Sequence, residues 1–310
     1  MIDKHICACY NIPMRTIPTV PAKGIIHKLH GDFNWFGAAY NMNIYKGCSH
    51  GCIYCDSRAD CYRIEDFDTV KAKENAKQLV RNELRRFTKP GVVASGAMTD
   101  PYNPIEAKLK LTRYSLEQMN TYRFGASLCT KSHLIARDID VLCAIKEHSP
   151  VIVHMSVTCD EDDMSLMLEP HVAPTTKRFE AMAKLSDAGI FCGVFMMPIL
   201  PYINDDVDNI VGVLRQAKEA GARYVFASMG STLRDGNREY FFRKLDEQFP
   251  GVKQKYARQF GNSYNLPSPH AKKLWHAFNA ECLRLGLLHK MCDITQAYQA
   301  GYGDGQLRLF

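Results

Sequence analysis

The stretch Tyr45-Lys46-Gly47-Cys48-Ser49-His50-Gly51-Cys52-Ile53-Tyr54-Cys55 sets three cysteines in one short segment, spaced C-x3-C-x2-C. It follows a β-rich run at 40–45, so the cysteines fall on a loop after a strand. Gly47 and Gly51 let such a loop wrap tightly. Three thiolates can each hold one iron of a cubane and leave the fourth iron open, as a reactive metal centre requires. The competing reading is structural zinc on Cys52, Cys55 and two of Cys48, His50 or Cys61. Structural zinc normally takes paired C-x2-C units, and the sequence has no second pair. The pattern therefore predicts a [4Fe–4S] cluster on Cys48, Cys52 and Cys55.

Outward from this loop, short β-rich runs alternate with amphipathic stretches. The runs at 40–45, 91–97, 124–130, 151–158, 190–197 and 224–228 read as strands. Helical periodicity falls at about 70–87, 109–121, 136–147, 175–188 and 205–220. In the last of these Ile210, Val213, Leu214 and Ala217 share a face, and Gly221 stops it. Strands separated by helices of this length mean βαβ units and a parallel sheet. Right-handed crossovers curl six such units into a partial (β/α)6 TIM-like barrel of parallel strands, an α/β fold. Chemistry in such barrels sits at the C-terminal strand ends. The expected organisation is an irregular N-terminal arm (1–39) broken by Pro13, Pro18 and Pro21, the barrel (40–232), a helical C-terminal extension (233–300) and a flexible tail (301–310).

The 310 residues can bury a sizeable core, and no run is long and apolar enough to span a membrane. The start lacks the order of a signal peptide, so the expected location is the cytoplasm. There, twelve cysteines argue for metal or redox chemistry over a disulfide framework. The net charge of +6 suits a polyanionic partner without amounting to a nucleic-acid signature.

The cysteine spacing, with an aromatic before the last cysteine, resembles the signature of the radical S-adenosylmethionine (SAM) superfamily. The words GCSHGCIYC, TDPYNPIE, TKSHLIARDID, SVT and LEPHVAPTTKRFEAMAKLSDAGI narrow the resemblance to its spore photoproduct lyase-like branch, whose members carry the description DNA repair photolyase. The resemblance implies two cofactors, the cluster and S-adenosyl-L-methionine, and reductive cleavage to a 5′-deoxyadenosyl radical. It implies a reductant such as flavodoxin or ferredoxin, and DNA repair as the activity. The alternatives are the same chemistry on a small metabolite, RNA or protein, or a non-enzymatic metal-stabilised binding module.

The resemblance also implies site residues. Tyr54 would meet the adenine, and Lys131 and Arg178 the cofactor carboxylate. Ser156 would contact ribose or methionyl groups. Ser95, Thr99 and Asp100 stand where many members carry a Gly-Gly-Glu amine-binding motif. Tyr102, Asn103 and Glu106 would face substrate. The lyases place a hydrogen-donating cysteine near the end of the second strand, and here that stretch is Ala97–Met98. Cys129 and Cys159, at neighbouring strand ends, are the candidate donors. The pentapeptide QLRLF, through Gln306, Leu307, Leu309 and Phe310, resembles the bacterial sliding-clamp-binding motif and would supply a second route to DNA.

Overall fold

The computed structural model describes residues 17–29 and 35–302. The QLRLF pentapeptide, with Gln306, Leu307, Leu309 and Phe310, lies outside the described residues. Among the described residues, six short parallel strands lie side by side in sequence order: β2 (Tyr40–Met42), β3 (Val92–Ser95), β4 (Gly125–Thr130), β5 (Val151–Ser156), β6 (Phe191–Met196) and β7 (Tyr224–Ala227). The strand β1 (Ile26–Lys28) pairs antiparallel on the outer edge of β2. Between successive parallel strands run α1 (Ala76–Arg86), α2 (Leu111–Thr121), α3 (Ile139–Lys146), α4 (Thr175–Asp187) and α5 (Val207–Glu219). Sequential order with helical crossovers is the expected partial TIM-like barrel, and the sheet stays open between β1 and β7.

The central strands read as continuous apolar runs because both faces are covered. All six residues of β5 are buried. On α5 the expected face is the buried one: Ile210, Val213, Leu214 and Ala217. An Asp206 side-chain oxygen starts this helix by accepting from Asn209 N at 2.8 Å, a cap worth about 1 kcal/mol.

Two boundaries differ from the sequence reading. The run at 40–45 is two strands, because Tyr45–Lys46 leaves the main sheet and pairs antiparallel with Lys71–Lys73. The expected helix at 70–87 opens with that same strand and becomes helical only at Ala76. Lys71-Ala72-Lys73 buries only its middle side chain, a period of two that the longer helical pattern hid.

Past residue 232 the chain packs on the same core. The strands β8 (Gly230–Thr232) and β9 (Asn265–Pro267) form an antiparallel pair. The helices are α6 (Asn237–Gln248), α7 (Val252–Phe260), α8 (Ala271–Leu285) and α9 (Met291–Gln299). Leu274, Phe278 and Cys282 of α8 share the core with the buried face of α5. Leu288 covers the edge of β7 by accepting from Val225 N at 2.9 Å, which blunts an otherwise open sheet edge. Among the described residues no helix is long and apolar enough to cross a membrane.

Candidate active site

The cysteine loop leaves the C-terminal end of β2 and is pinned on two sides. Cys48 N donates to Phe67 O at 2.8 Å, and Ile53 N to Leu168 O at 3.0 Å. Gly47 has φ +80°, and a Cβ there would sit 2.6 Å from Thr69 O. Only glycine fits that close passage. Cys48 and Cys52 are buried, and Cys55 is half-buried. Burial pushes the Cys52 thiol well above its ordinary value, and the Cys55 thiol up to about 11. At Cys48 burial acts upward too, but the charge and hydrogen bond of His50 outweigh it and leave that thiol low.

This donor set fits a cationic cluster, since thiols this costly to ionise become thiolates when a metal takes the place of the proton. A single zinc ion needs its ligands drawn to one point. A cubane asks each thiolate for a different iron.

Beside the loop lies a cavity of about 810 Å³. Tyr54, Cys55, Ser95, Cys129, Lys131 and Ser156 all line it, so the structure gathers these expected residues around one space. The Lys131 ammonium lies 5.8 Å from the centroid of the Tyr54 ring. Burial disfavours that charge, and the neighbouring Cys52 and Glu169 more than offset it, holding Lys131 above its ordinary value. Cys129 Sγ sits 3.6 Å from Ser156 Oγ, and burial pushes its thiol up. Gly96 has φ +110°, and a Cβ there would fall 2.1 Å from Cys129 O. The loop after β3 can thus press against β4 only as glycine.

Other expected residues lie elsewhere. Arg178 is fully buried and does not line the cavity. Its guanidinium donates to Ala173 O at 2.6 Å and Ser156 O at 2.9 Å, and it pairs with Glu169. Glu169 also accepts from the Tyr54 hydroxyl. The Arg178 fork is therefore occupied by the fold, Ser165 Oγ accepting from it as well at 3.3 Å, and through Glu169 it braces the cysteine loop from behind. Asp100 is likewise occupied: it accepts from Tyr102 N at 2.8 Å, Thr130 Oγ1 at 2.7 Å and Lys131 N at 2.8 Å. Thr99 keeps a buried hydroxyl with no hydrogen-bond partner among the described residues.

Tyr102, Asn103 and Glu106 do not face the cavity. All three are fully buried. Glu106 accepts from Tyr45 Oη, from Thr112 N at 3.0 Å and from Arg137 Nη2 at 2.7 Å. The words TDPYNPIE and TKSHLIARDID thus meet as one internal ionic cluster. Cys159 is buried beneath the cysteine loop, with Cys52, Tyr54 and Leu168. Its contacts are Thr158 Oγ1 at 3.8 Å and Asn204 Nδ2 at 3.6 Å.

Sequence reasoning missed the cavity's inner wall. Ser127 and His154 line it from mid-strand, with Trp35 and Phe195 beside them. A search confined to strand ends passes over them. Glu169 stood inside a quoted word, but nothing in its spacing pairs it with Tyr54.

The radical SAM superfamily model matches residues 42–214, more than half of the chain, and the chain belongs to that superfamily. It is an enzyme, and its cofactors are a [4Fe–4S] cluster and S-adenosylmethionine. An uncharacterized protein of Mycobacterium tuberculosis (strain ATCC 25618 / H37Rv) is 28% identical over 242 residues, 76% of this chain and 71% of that protein. One of Methanocaldococcus jannaschii is 33% identical over 179 residues, 57% of this chain and 66% of that protein. Among solved structures, spore photoproduct lyase complexed with dinucleoside spore photoproduct superposes with a TM-score of 0.63 at 12% identity, over 81% of this chain and 75% of that chain. A radical SAM methyltransferase from Kitasatospora setae, with tryptophan substrate and a SAM analogue bound, gives 0.51 at 13% identity, over 81% and 53%. At such identities the likeness is one of fold.

Proposed function

We propose that this chain is a DNA repair enzyme of lyase-like type, acting on a damaged base drawn out of the helix into the barrel. When bound, the cluster and S-adenosylmethionine supply a reductively generated 5′-deoxyadenosyl radical. Cys48, Cys52 and Cys55 hold three of the irons. Tyr54, Lys131, Ser95 and Ser156 line the place of the sulfonium cofactor, and the Thr99 hydroxyl serves its amino group. Cys129, on the same wall, is the hydrogen-atom donor that Ala97–Met98 lacks.

The observation that carries the reading is the cavity. Its 810 Å³ stands high in the range of ligand sites and suits a cofactor together with one ring-sized unit. Its inner end offers aromatic faces and uncharged polar groups: Trp35, Phe195, Asn41, Ser127 and a neutral His154. Enzymes that act on a base take it out of the stack into such a pocket. The protein works in the cytoplasm with a flavodoxin- or ferredoxin-type reductant, and QLRLF tethers it to the sliding clamp. The absence of a cysteine at Ala97–Met98 favours a second reading, the same chemistry on an uncharged ring of a metabolite, RNA or protein.

The test is anaerobic turnover with and without ultraviolet-damaged DNA. The reading expects 5′-deoxyadenosine formation stimulated by the damaged DNA, and DNA binding that weakens as salt rises. Equal turnover without DNA, together with no DNA affinity at low salt, contradicts it in favour of the second reading.

A further inference from the structure

The inner wall of the cavity contains a hydrogen-bonded row. His154 and Cys129 are register partners on β5 and β4, and Gly193 and Tyr224 continue the same row onto β6 and β7. A Cβ at Gly193 would sit 2.5 Å from Tyr224 Cδ1. Its absence lets the Tyr224 ring lie across β6 and reach His154. Tyr224 Oη lies 2.5 Å from His154 Nδ1 and 2.9 Å from Val153 O. His154 Nε2 lies 3.1 Å from Ser127 Oγ. The imidazole stacks on Phe195 with centroids 4.1 Å apart.

Counting protons fixes every donor in this row. Burial pushes His154 down to about 3, so it is neutral and carries one ring proton. Tyr224 has one hydroxyl proton. Val153 O has none, so the tyrosine must donate there if that 2.9 Å contact is a hydrogen bond. Tyr224 Oη then accepts from His154 Nδ1–H. His154 Nε2 is left as a lone pair, and Ser127 Oγ–H donates to it. The opposite tautomer makes two hydrogen bonds and leaves two oxygens facing each other at 2.9 Å. In a buried site the arrangement that satisfies three contacts is the stable one.

Ser127 therefore spends its only proton inward and shows the cavity lone pairs alone. It stands four residues before Lys131, about 13 Å along the extended chain, with Ala94 of β3 as its register partner. The charged lining groups are elsewhere: Lys131 stands beside the cysteine loop, and Asp56 pairs with Arg234 at 3.2 Å. We propose that Ser127 is an acceptor-only contact that selects an uncharged ring bearing an N–H donor, with His154 and Tyr224 as the positioning residues that hold it so. This rests on the reading that a ring enters the barrel, and it names which edge of that ring is read.

The test has two arms. In the first, the cluster-loaded full chain is labelled with [15N]histidine, and His154 is assigned with His154→Gln. The inference expects the Nδ1–H tautomer, and an Nε2–H tautomer overturns it. The second arm measures equilibrium binding of thymidine and of 3-methylthymidine, whose ring N–H is methylated. Wild type should prefer thymidine about tenfold, the worth of one neutral hydrogen bond. The preference should fall to about one in Ser127→Ala and in Tyr224→Phe. No preference in wild type, or an unchanged preference in Ser127→Ala, overturns the inference. The first arm needs no substrate. An Nδ1–H tautomer with no DNA-stimulated turnover sinks the DNA reading and leaves the acceptor standing, and an Nε2–H tautomer with DNA-stimulated turnover does the reverse.

Discussion

Two loops leave neighbouring strand ends, residues 47–55 after β2 and 96–106 after β3, and both are conspicuous in the sequence. Their fates differ. In the second loop Asp100, Asn103 and Glu106 are consumed by backbone amides and carbonyls, Thr130, Tyr45 and Arg137. In the first, the backbone is pinned by Phe67 O and Leu168 O, while Tyr54 and Cys55 reach the cavity wall. A polar side chain at a barrel mouth is available for chemistry only to the extent that the fold leaves it unspent. A buried group with all its hydrogen bonds made inside the chain is part of the scaffold.

The comparison breaks most visibly at the cysteines. Cys48→Ala or Cys55→Ala should remove nearly all bound iron, from about four atoms per chain in the reconstituted protein. Iron assay with electron paramagnetic resonance checks this, and a full complement in either variant would refute the ligand set. Glu106→Ala should act on stability instead. It removes one of the two fully buried carboxylates that Arg137 pairs with, Asp138 remaining, and leaves Tyr45 Oη and Thr112 N without their acceptor, a loss of about 2–4 kcal/mol in urea unfolding. The iron content of the protein that remains folded should not change. A variant of full stability and low iron would mean that the two loops had been assigned the wrong way round.

The barrel interior gives a smaller effect with a definite sign. His154 is depressed to about 3 in the folded chain and titrates near its ordinary 6.5 when unfolded. Between those values the unfolded state binds the extra proton, so stability rises with pH and is lost on acidification. The expected loss from pH 6.5 to 5 is about 1.6 kcal/mol from this group. His154→Gln should flatten that part of the acid limb in urea titrations at the two pH values, and an unaltered slope would show that His154 is already protonated or exposed. The smallest effect belongs to the surface. Lys177 and Glu180 form an exposed pair at 2.9 Å, and Lys177→Ala should cost less than about 0.5 kcal/mol. A larger loss would weaken the claim that only spent, buried groups matter for the scaffold.

Much of the fold was legible because its signals are local. Apolar runs and helical periodicity placed six strands and their crossover helices, and C-x3-C-x2-C placed the loop. What stayed hidden depends on pairing across the chain. Arg178 and Glu169 are nine residues apart, yet the sequence does not say that Tyr54 lies between them and the cavity. Tyr45 and Lys71–Lys73 formed a small separate sheet through contacts that no window of sequence contains. Ser127 and His154 sat mid-strand, where alternation reads as core, and only the gap at Gly193 brings Tyr224 to them.

The central claim is that Cys48, Cys52 and Cys55 hold a cluster that cleaves S-adenosylmethionine reductively. The most direct measurement is the yield of 5′-deoxyadenosine from anaerobically reconstituted, reduced protein, wild type against Cys52→Ala. The account predicts product from the wild type and background from Cys52→Ala at equal protein. Product from both, or a wild type that binds four-coordinate zinc and yields none, would contradict it.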